Sequence, residues 1–413
     1  MQRSAWLLVA LGGLLSPALG CTRTETDEPI VHSYDAYTGP PAYPNRRPRI
    51  IAPSGDLGLV SNNGSDTVSA LDLVNDKVLG SAPVGRDPVD LDGPHHLAGD
   101  RAKGFAYVAL AYPAPAFTPG PHAAHGSSSR SGFVQKLALD DLRILGEVRV
   151  DNNPGDVVLS DDGSRLVVTH FDLKKALQAG VKVEDQRATL AVIHPDQILP
   201  SGSPDPVKIT ICIAPHGVAL SRPDGKLAFA ACYGEDVIAI VDVTDPGADV
   251  LRIPVGPSPG KPGQPSYGPY SAVLSPTGGR LVVGNTESND VRLLDIASKT
   301  MLPLIIKTQG APYFVAWSND EKRLYIPTQS PDTMIVADAA TGDVVTSRMF
   351  DKATCQAPHE AAFSTDGASL YVVCEGDHTK PSVILSLDPA TLDTKATMPV
   401  GVYPDRLAIL GAK

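Results

Sequence analysis

The sequence predicts an all-β protein: a seven-bladed β-propeller of four-stranded antiparallel blades, preceded by a signal peptide and a short tether. Three observations carry this expectation. A short unit recurs along the 413-residue chain, turn formers are abundant (37 Gly and 38 Pro), and 42% hydrophobic against 20% charged residues fits a packed globular chain. The formal charge of −11 and the lack of any basic run argue against nucleic acid as a partner, because phosphate binding draws on clustered Lys and Arg.

The unit begins with a proline, a variable residue, a short apolar strand and a serine. Examples are Pro215-His216-Gly217-Val218-Ala219-Leu220-Ser221 and Pro358-His359-Glu360-Ala361-Ala362-Phe363-Ser364. The same pattern starts at Pro154, Pro269 and Pro312. A turn follows, such as Pro223-Asp224-Gly225 or Thr365-Asp366-Gly367, where Asp and Gly supply turn geometry. A second apolar strand comes next, then a third ending in an aspartate (Asp72, Asp242, Asp295, Asp338 or Asp388), and a weaker fourth leads to the next proline. Four strands per unit at a spacing of about 40–60 residues is the signature of a propeller. The units start near residues 47, 94, 154, 215, 269, 312 and 358. Either 403–410 or 49–52 supplies the first strand that closes the ring, since an open end would expose a strand edge.

The stretch Val60-Ser61-Asn62-Asn63-Gly64-Ser65-Asp66-Thr67-Val68 resembles the YVTN class of propeller repeats, and residues 280–295 resemble the same consensus. That resemblance implies the fold and leaves the activity open, because such propellers serve as scaffolds, binding modules and quinoprotein-like enzymes. At the other end of the chain, Arg3, an apolar run over 5–15 and small residues at Ala18 and Gly20 have the layout of a secretory signal peptide. Ala18-Leu19-Gly20-Cys21 resembles a bacterial lipoprotein cleavage box. The resemblance implies removal of residues 1–20, a lipid on Cys21, and an envelope protein held on the outer membrane by a tether over 21–46, ahead of a monomeric propeller over 47–413. Simple secretion is the alternative.

Propeller geometry turns the repeat into a map of faces. The connections from second to third strand, and from fourth to the next first, emerge on one face, here called the top. The long insertions 112–132, 171–187 and 257–268 all fall there, with a short helix expected over 173–179. Histidine follows the insertions. His95, His216 and His359 stand at first-strand starts near the channel mouth, His170 ends a second strand, and His122 and His125 sit in the longest insertion. These six are the candidate ligands for a transition metal, since imidazole suits Zn, Cu, Fe and Ni. The competing explanation is that a top face holds much of the polar surface anyway. Strict alternation predicts that His95 and His96 do not both point inward, and His378 reads as a surface residue. Tyr270 and Tyr313 share the post-proline slot of His216 and His359, which offers ligand stacking or simple packing around the channel.

Beyond Cys21, the four cysteines fall in matching frames, Cys212-x3-His216-x15-Cys232 and Cys355-x3-His359-x14-Cys374. Adjacent antiparallel strands bring both members of each pair to the top, which predicts the bridges Cys212–Cys232 and Cys355–Cys374. Two Cys-His-Cys metal sites are the rival.

No covalent-haem motif, Walker loop, nucleophile elbow or His-Glu-x-x-His is present. Three functions follow. The first is an envelope scaffold binding a protein or small-molecule ligand through its top face. The second is a histidine-ligated metal oxidoreductase, copper favoured, resembling nitrous oxide reductase in architecture only. The third is a cofactor-binding propeller resembling quinoprotein or haem-d1 folds, with His95, His216 or His359 as axial ligand.

Overall fold

The computed structural model describes residues 47–86, 91–112 and 126–412. The expectations on the leader, Cys21, the tether, His122 and His125 therefore lie outside the described residues. Seven antiparallel sheets form the blades, and all but one have four strands in simple order from the axis outward. The exception is blade 6, whose inner strand is broken into Ala311–Pro312 and Ala316–Trp317. The other inner strands are Pro94–Asp100, Pro154–Leu159, Pro215–Leu220, Pro269–Leu274, Pro358–Phe363 and Pro404–Leu410, in blades 2, 3, 4, 5, 7 and 1.

Burial explains the composition of each strand. Second strands such as Leu166–His170 and Leu370–Cys374 are covered on both faces by the neighbouring blades, so they are buried throughout and mostly apolar. Outer strands such as Val344–Met349 meet water, and this one mixes Thr346, Ser347 and Arg348 with exposed Val344, Val345 and Met349. Seven apolar clusters correspond one to one with the seven blade interfaces, from the Leu59/Val108 cluster between blades 1 and 2 round to the Val60/Tyr371 cluster between blades 7 and 1. The expected aspartates end their third strands as turn caps. Asp72 accepts from Val74 N and Asn75 N, Asp338 from Ala340 N and Thr341 N, and Asp388 from Ala390 N and Thr391 N.

The ring closes through the C-terminal segment. Pro404–Leu410 pairs antiparallel with Leu57–Asn62 and becomes the inner strand of blade 1. Residues 49–52 form no strand. Ile50 instead donates its N–H to Asp140 O and fills the blade 1/2 interface.

Both expected bridges are present. Cys212–Cys232 and Cys355–Cys374 have Cα–Cα separations of 5.9 and 5.3 Å. Each ties the chain entering a blade to the end of that blade's second strand, and a disulfide leaves no thiolate for the rival metal sites. Closing loops 20 and 19 residues long removes chain entropy equivalent to about 3 kcal/mol for each bridge. Replacing Cys212 and Cys232 by Ser is therefore expected to lower unfolding free energy by about 3 kcal/mol without changing the circular-dichroism spectrum. Denaturant titration of the two proteins checks this. Among the described residues no helix is long and apolar enough to cross a membrane.

Candidate metal centre on the propeller axis

The proline that opens each inner strand has a consequence beyond marking the repeat. In all seven blades the pairing of first and second strands slips by one residue directly after it: Pro94 pairs Leu110 and Leu97 pairs Val108, Pro358 pairs Cys374 and Glu360 pairs Val373. The extra residue is a β-bulge, which re-aims side chains and frees backbone groups. Carbonyls freed this way are taken up by the preceding blade. His95 O accepts from Ser61 Oγ, His216 O from Thr169 Oγ1, Tyr313 O from Ser271 Oγ at 2.7 Å, and His359 O from Phe314 N at 2.9 Å.

The bulge points two successive residues of each blade at the axis. From blade 1 to blade 7 the post-proline slot holds Asp405, His95, Gly155, His216, Tyr270, Tyr313 and His359. The next slot holds Arg406, His96, Asp156, Gly217, Ser271, Phe314 and Glu360. The alternation that kept His96 outside therefore fails. His95 and His96 are both at most 1% exposed, with ring centroids 4.3 Å apart, because the bulge breaks the period of two.

Three imidazoles converge. His95 Nε2 lies 3.4 Å from His216 Nε2, and one ring nitrogen from each of His95, His96 and His216 falls within 4.8 Å of the others. A tetrahedral ion with metal–nitrogen bonds of about 2.05 Å holds its ligand nitrogens about 3.35 Å apart. The His95–His216 spacing already matches that edge. The far nitrogens are held by carboxylates: His95 Nδ1 donates to Asp405 Oδ2, and His96 Nδ1 to Asp156 Oδ1 at 2.7 Å. A carboxylate on the outer nitrogen fixes the tautomer and turns the inner nitrogen into a ligand. Among the described residues no group hydrogen-bonds the buried His96 Nε2. Asp405 Oδ1 lies 3.9 Å from that nitrogen and 3.4 Å from His359 Nδ1, so this one carboxylate joins three imidazoles. His96, His359 and Asp405 form a second group able to share an ion.

Electrostatics points the same way. Burial, and then the neighbouring His95, pushes the His96 imidazole down to about 4, leaving the neutral form that metals require. Burial would raise Asp156, but Arg406 and His96 outweigh it and hold its carboxyl below the usual range. Glu360 is raised by burial, although Arg406 Nη1 lies 3.3 Å from its Oε1. In all, Asp156, Glu360, Glu375 and Asp405 are at most 4% exposed, and Arg406 is the guanidinium among them, stacked 4.5 Å over Phe314. Buried charge on this scale calls for a counter-ion.

The other sequence candidates are placed differently. His170 is buried in blade 3, but Thr189 O accepts from its Nδ1 at 2.8 Å and Asp151 N donates to its Nε2 at 3.1 Å. Both nitrogens serve the backbone, so His170 is outside the cluster. Tyr270 stacks on His216 at 3.7 Å and Tyr313 stands 5.4 Å from Tyr270; with Phe171 and Phe314 they wall the centre. The helix expected after Asp172 spans Leu173–Ala176. Sequence reasoning missed Asp405, Asp156, Glu375, Glu360 and Arg406 as well as His96. Extending the proline alignment to Pro94 and Pro404 would have found most of them.

Fold and site together define a seven-bladed propeller with a sealed histidine–carboxylate core at the head of its channel. In comparisons with known proteins, no family model and no curated protein matches the chain. Solved structures do. The periplasmic gluconolactonase PpgL of Pseudomonas aeruginosa is 16% identical with a TM-score of 0.62, covering 87% of this chain and 100% of its own. A protein described as a putative 6-phosphogluconolactonase from Bacteroides uniformis is 13% identical with a TM-score of 0.61, covering 86% of this chain and 99% of its own. The dihydro-heme d1 dehydrogenase NirN, in complex with DHE, is 16% identical with a TM-score of 0.54, covering 90% of this chain and 78% of its own. At these identities the likeness shows the propeller fold alone.

Proposed function

We propose that this chain is an exported propeller that holds one divalent transition-metal ion on its axis, copper(II) ahead of zinc(II). His95, His96 and His216 are the ligands, Asp405 offers the fourth donor, and His359 stands beside them. The observation that carries the reading is the pair of carboxylate-backed imidazoles, His95 on Asp405 and His96 on Asp156, facing His216. Copper ranks first because nitrogen donors bind it more tightly than zinc. The bound ion would neutralise buried carboxylate charge and, as copper, supply a one-electron centre. Closed packing around the imidazoles favours an ion over a planar macrocycle, and a site with no solvent-facing position suits holding or redox use more than substrate turnover. Export is supported by the two disulfides, which persist in oxidising compartments. Outer-membrane attachment through Cys21 and binding of a protein or small-molecule ligand at the top face extend the same reading, as does the YVTN-type repeat.

The test offers copper(II) and zinc(II) to the purified protein, removes the excess and measures metal by elemental analysis. One equivalent is expected in the wild type, and none after the same wash in His96→Ala or His216→Ala. His170→Ala is expected to keep its ion, because its nitrogens serve the backbone. Retention of metal by both cluster variants would rule the site out.

A further inference from the structure

An ion bound at this centre has to cross protein to reach it, because the four imidazoles are at most 1% exposed. Among the described residues, approaches from the lower and the upper face of the ring can be compared. From below, a cavity of about 410 Å³ opens under the inner strands and is lined by Phe314, Glu360 and Arg406. Arg406 also lines the adjoining cavity between blades 3, 4 and 5, and Arg222 borders both. A cation rising from that side meets a guanidinium before it meets an imidazole.

The top face offers the opposite. His378 follows the second strand of blade 7, with its ring stacked on Tyr403 at 3.7 Å and 10°, while 28% of its side chain stays in solvent. Its Nε2 lies 3.1 Å from Glu375 Oε2. Glu375 is only 1% exposed, and its other oxygen lies 3.7 Å from His359 Nε2. His359 Nδ1 donates to Asp405 O at 2.9 Å, which anchors the ring beside Asp405 Oδ1 at 3.4 Å and leaves Nε2 as its nitrogen able to bind an ion. Solvent is thus joined to the ring beside the centre by alternating donors: the His378 imidazole, the Glu375 carboxylate and His359 Nε2. An ion with bonds of about 2.0–2.2 Å can be shared between donors spaced this closely, so it can pass from one to the next without ever being bare.

We propose that His378 and Glu375 form the loading port of the axial site, capturing a hydrated divalent cation at the surface and handing it to His359 Nε2 beside the axial ligands. The port rests on the metal-binding reading and adds to it a direction of travel and a residue that sets the rate. His378 is not an axial ligand. It therefore acts on kinetics alone, and by microscopic reversibility it speeds loading and release equally.

Stopped-flow mixing with cobalt(II), followed by the visible absorption of the four-coordinate ion, reads the loading rate. Competition with a chelator of known affinity reads the equilibrium. In His378→Ala, loading and chelator-driven release are both expected to slow by at least tenfold, with stoichiometry and affinity unchanged. His194→Ala, which removes an exposed histidine elsewhere, is expected to load at the wild-type rate. Wild-type loading in His378→Ala would overturn the port and leave the axial site standing, and so would a loss of affinity matching the loss of rate, which would make His378 a ligand. A wild-type protein that takes up no copper(II), zinc(II) or cobalt(II) would instead overturn the axial site itself.

Discussion

A chain ending at residue 402 is expected to yield no soluble propeller. The lost segment is the inner strand of blade 1, paired along its length with Leu57–Asn62. Its removal exposes that strand's edge at the axis, where it can pair with another chain. It also strips Leu407 and Leu410, 3% and 7% exposed, from the interfaces of blade 1 with blades 7 and 2, at about 2 kcal/mol each. Glu360 loses both the Leu407 N–H and the Arg406 guanidinium, and stays buried without them. Together these losses reach the ~5–15 kcal/mol that separates folded from unfolded states in typical domains. Expression with solubility and circular dichroism as readouts tests the expectation. A soluble truncated protein with the wild-type spectrum would show that closure does not depend on this strand.

Asp405→Ala is expected to separate folding from metal binding. Asp405 orients His95, faces His96 and His359, and is fully buried. Loss of a carboxylate behind a ligating histidine typically weakens metal binding by about 10–100-fold. Here the same group also offers a donor, so the loss is expected to exceed about 100-fold. The variant removes one of the three carboxylates, with Asp156 and Glu360, that surround the Arg406 guanidinium, so the metal-free fold should survive. Thermal melts with and without copper(II) are the measurement. An ion present at a hundred times its dissociation constant adds about 2.7 kcal/mol to wild-type stability, and that upward shift should vanish in Asp405→Ala. An equal shift in both proteins would place the ion elsewhere.

The fold was legible because the propeller repeats its local chemistry. Prolines at 154, 215, 269, 312 and 358 each open an inner strand, and apolar runs such as residues 166–170 are second strands sealed between blades. Cysteine spacing could be read for the same reason, since antiparallel neighbours fix which strand ends meet. The site was legible only in part. His216 and His359 were visible in their slot, and His95 stood near it. His96 was hidden by a rule that holds for regular strands and fails at a bulge, which here follows directly on the proline that opens the strand. Asp405 was hidden differently. Residues 403–410 were recognisable as a strand, but whether they or residues 49–52 closed the ring was open, so the aspartate could not be placed on the axis with histidines about 190–310 positions earlier. His170 misled because a strand-end histidine bound to backbone and one bound to metal have the same spacing.

The placement of the closing strand sets an order of events. Arg406 bonds to Ser61 across 345 positions of chain, and Asp405 arrives beside it. Until that stretch has been synthesised, blade 1 lacks its innermost member and the imidazoles lack their common anchor. A half-made or clipped polypeptide would therefore be poor bait for copper, and only the finished wheel would trap it.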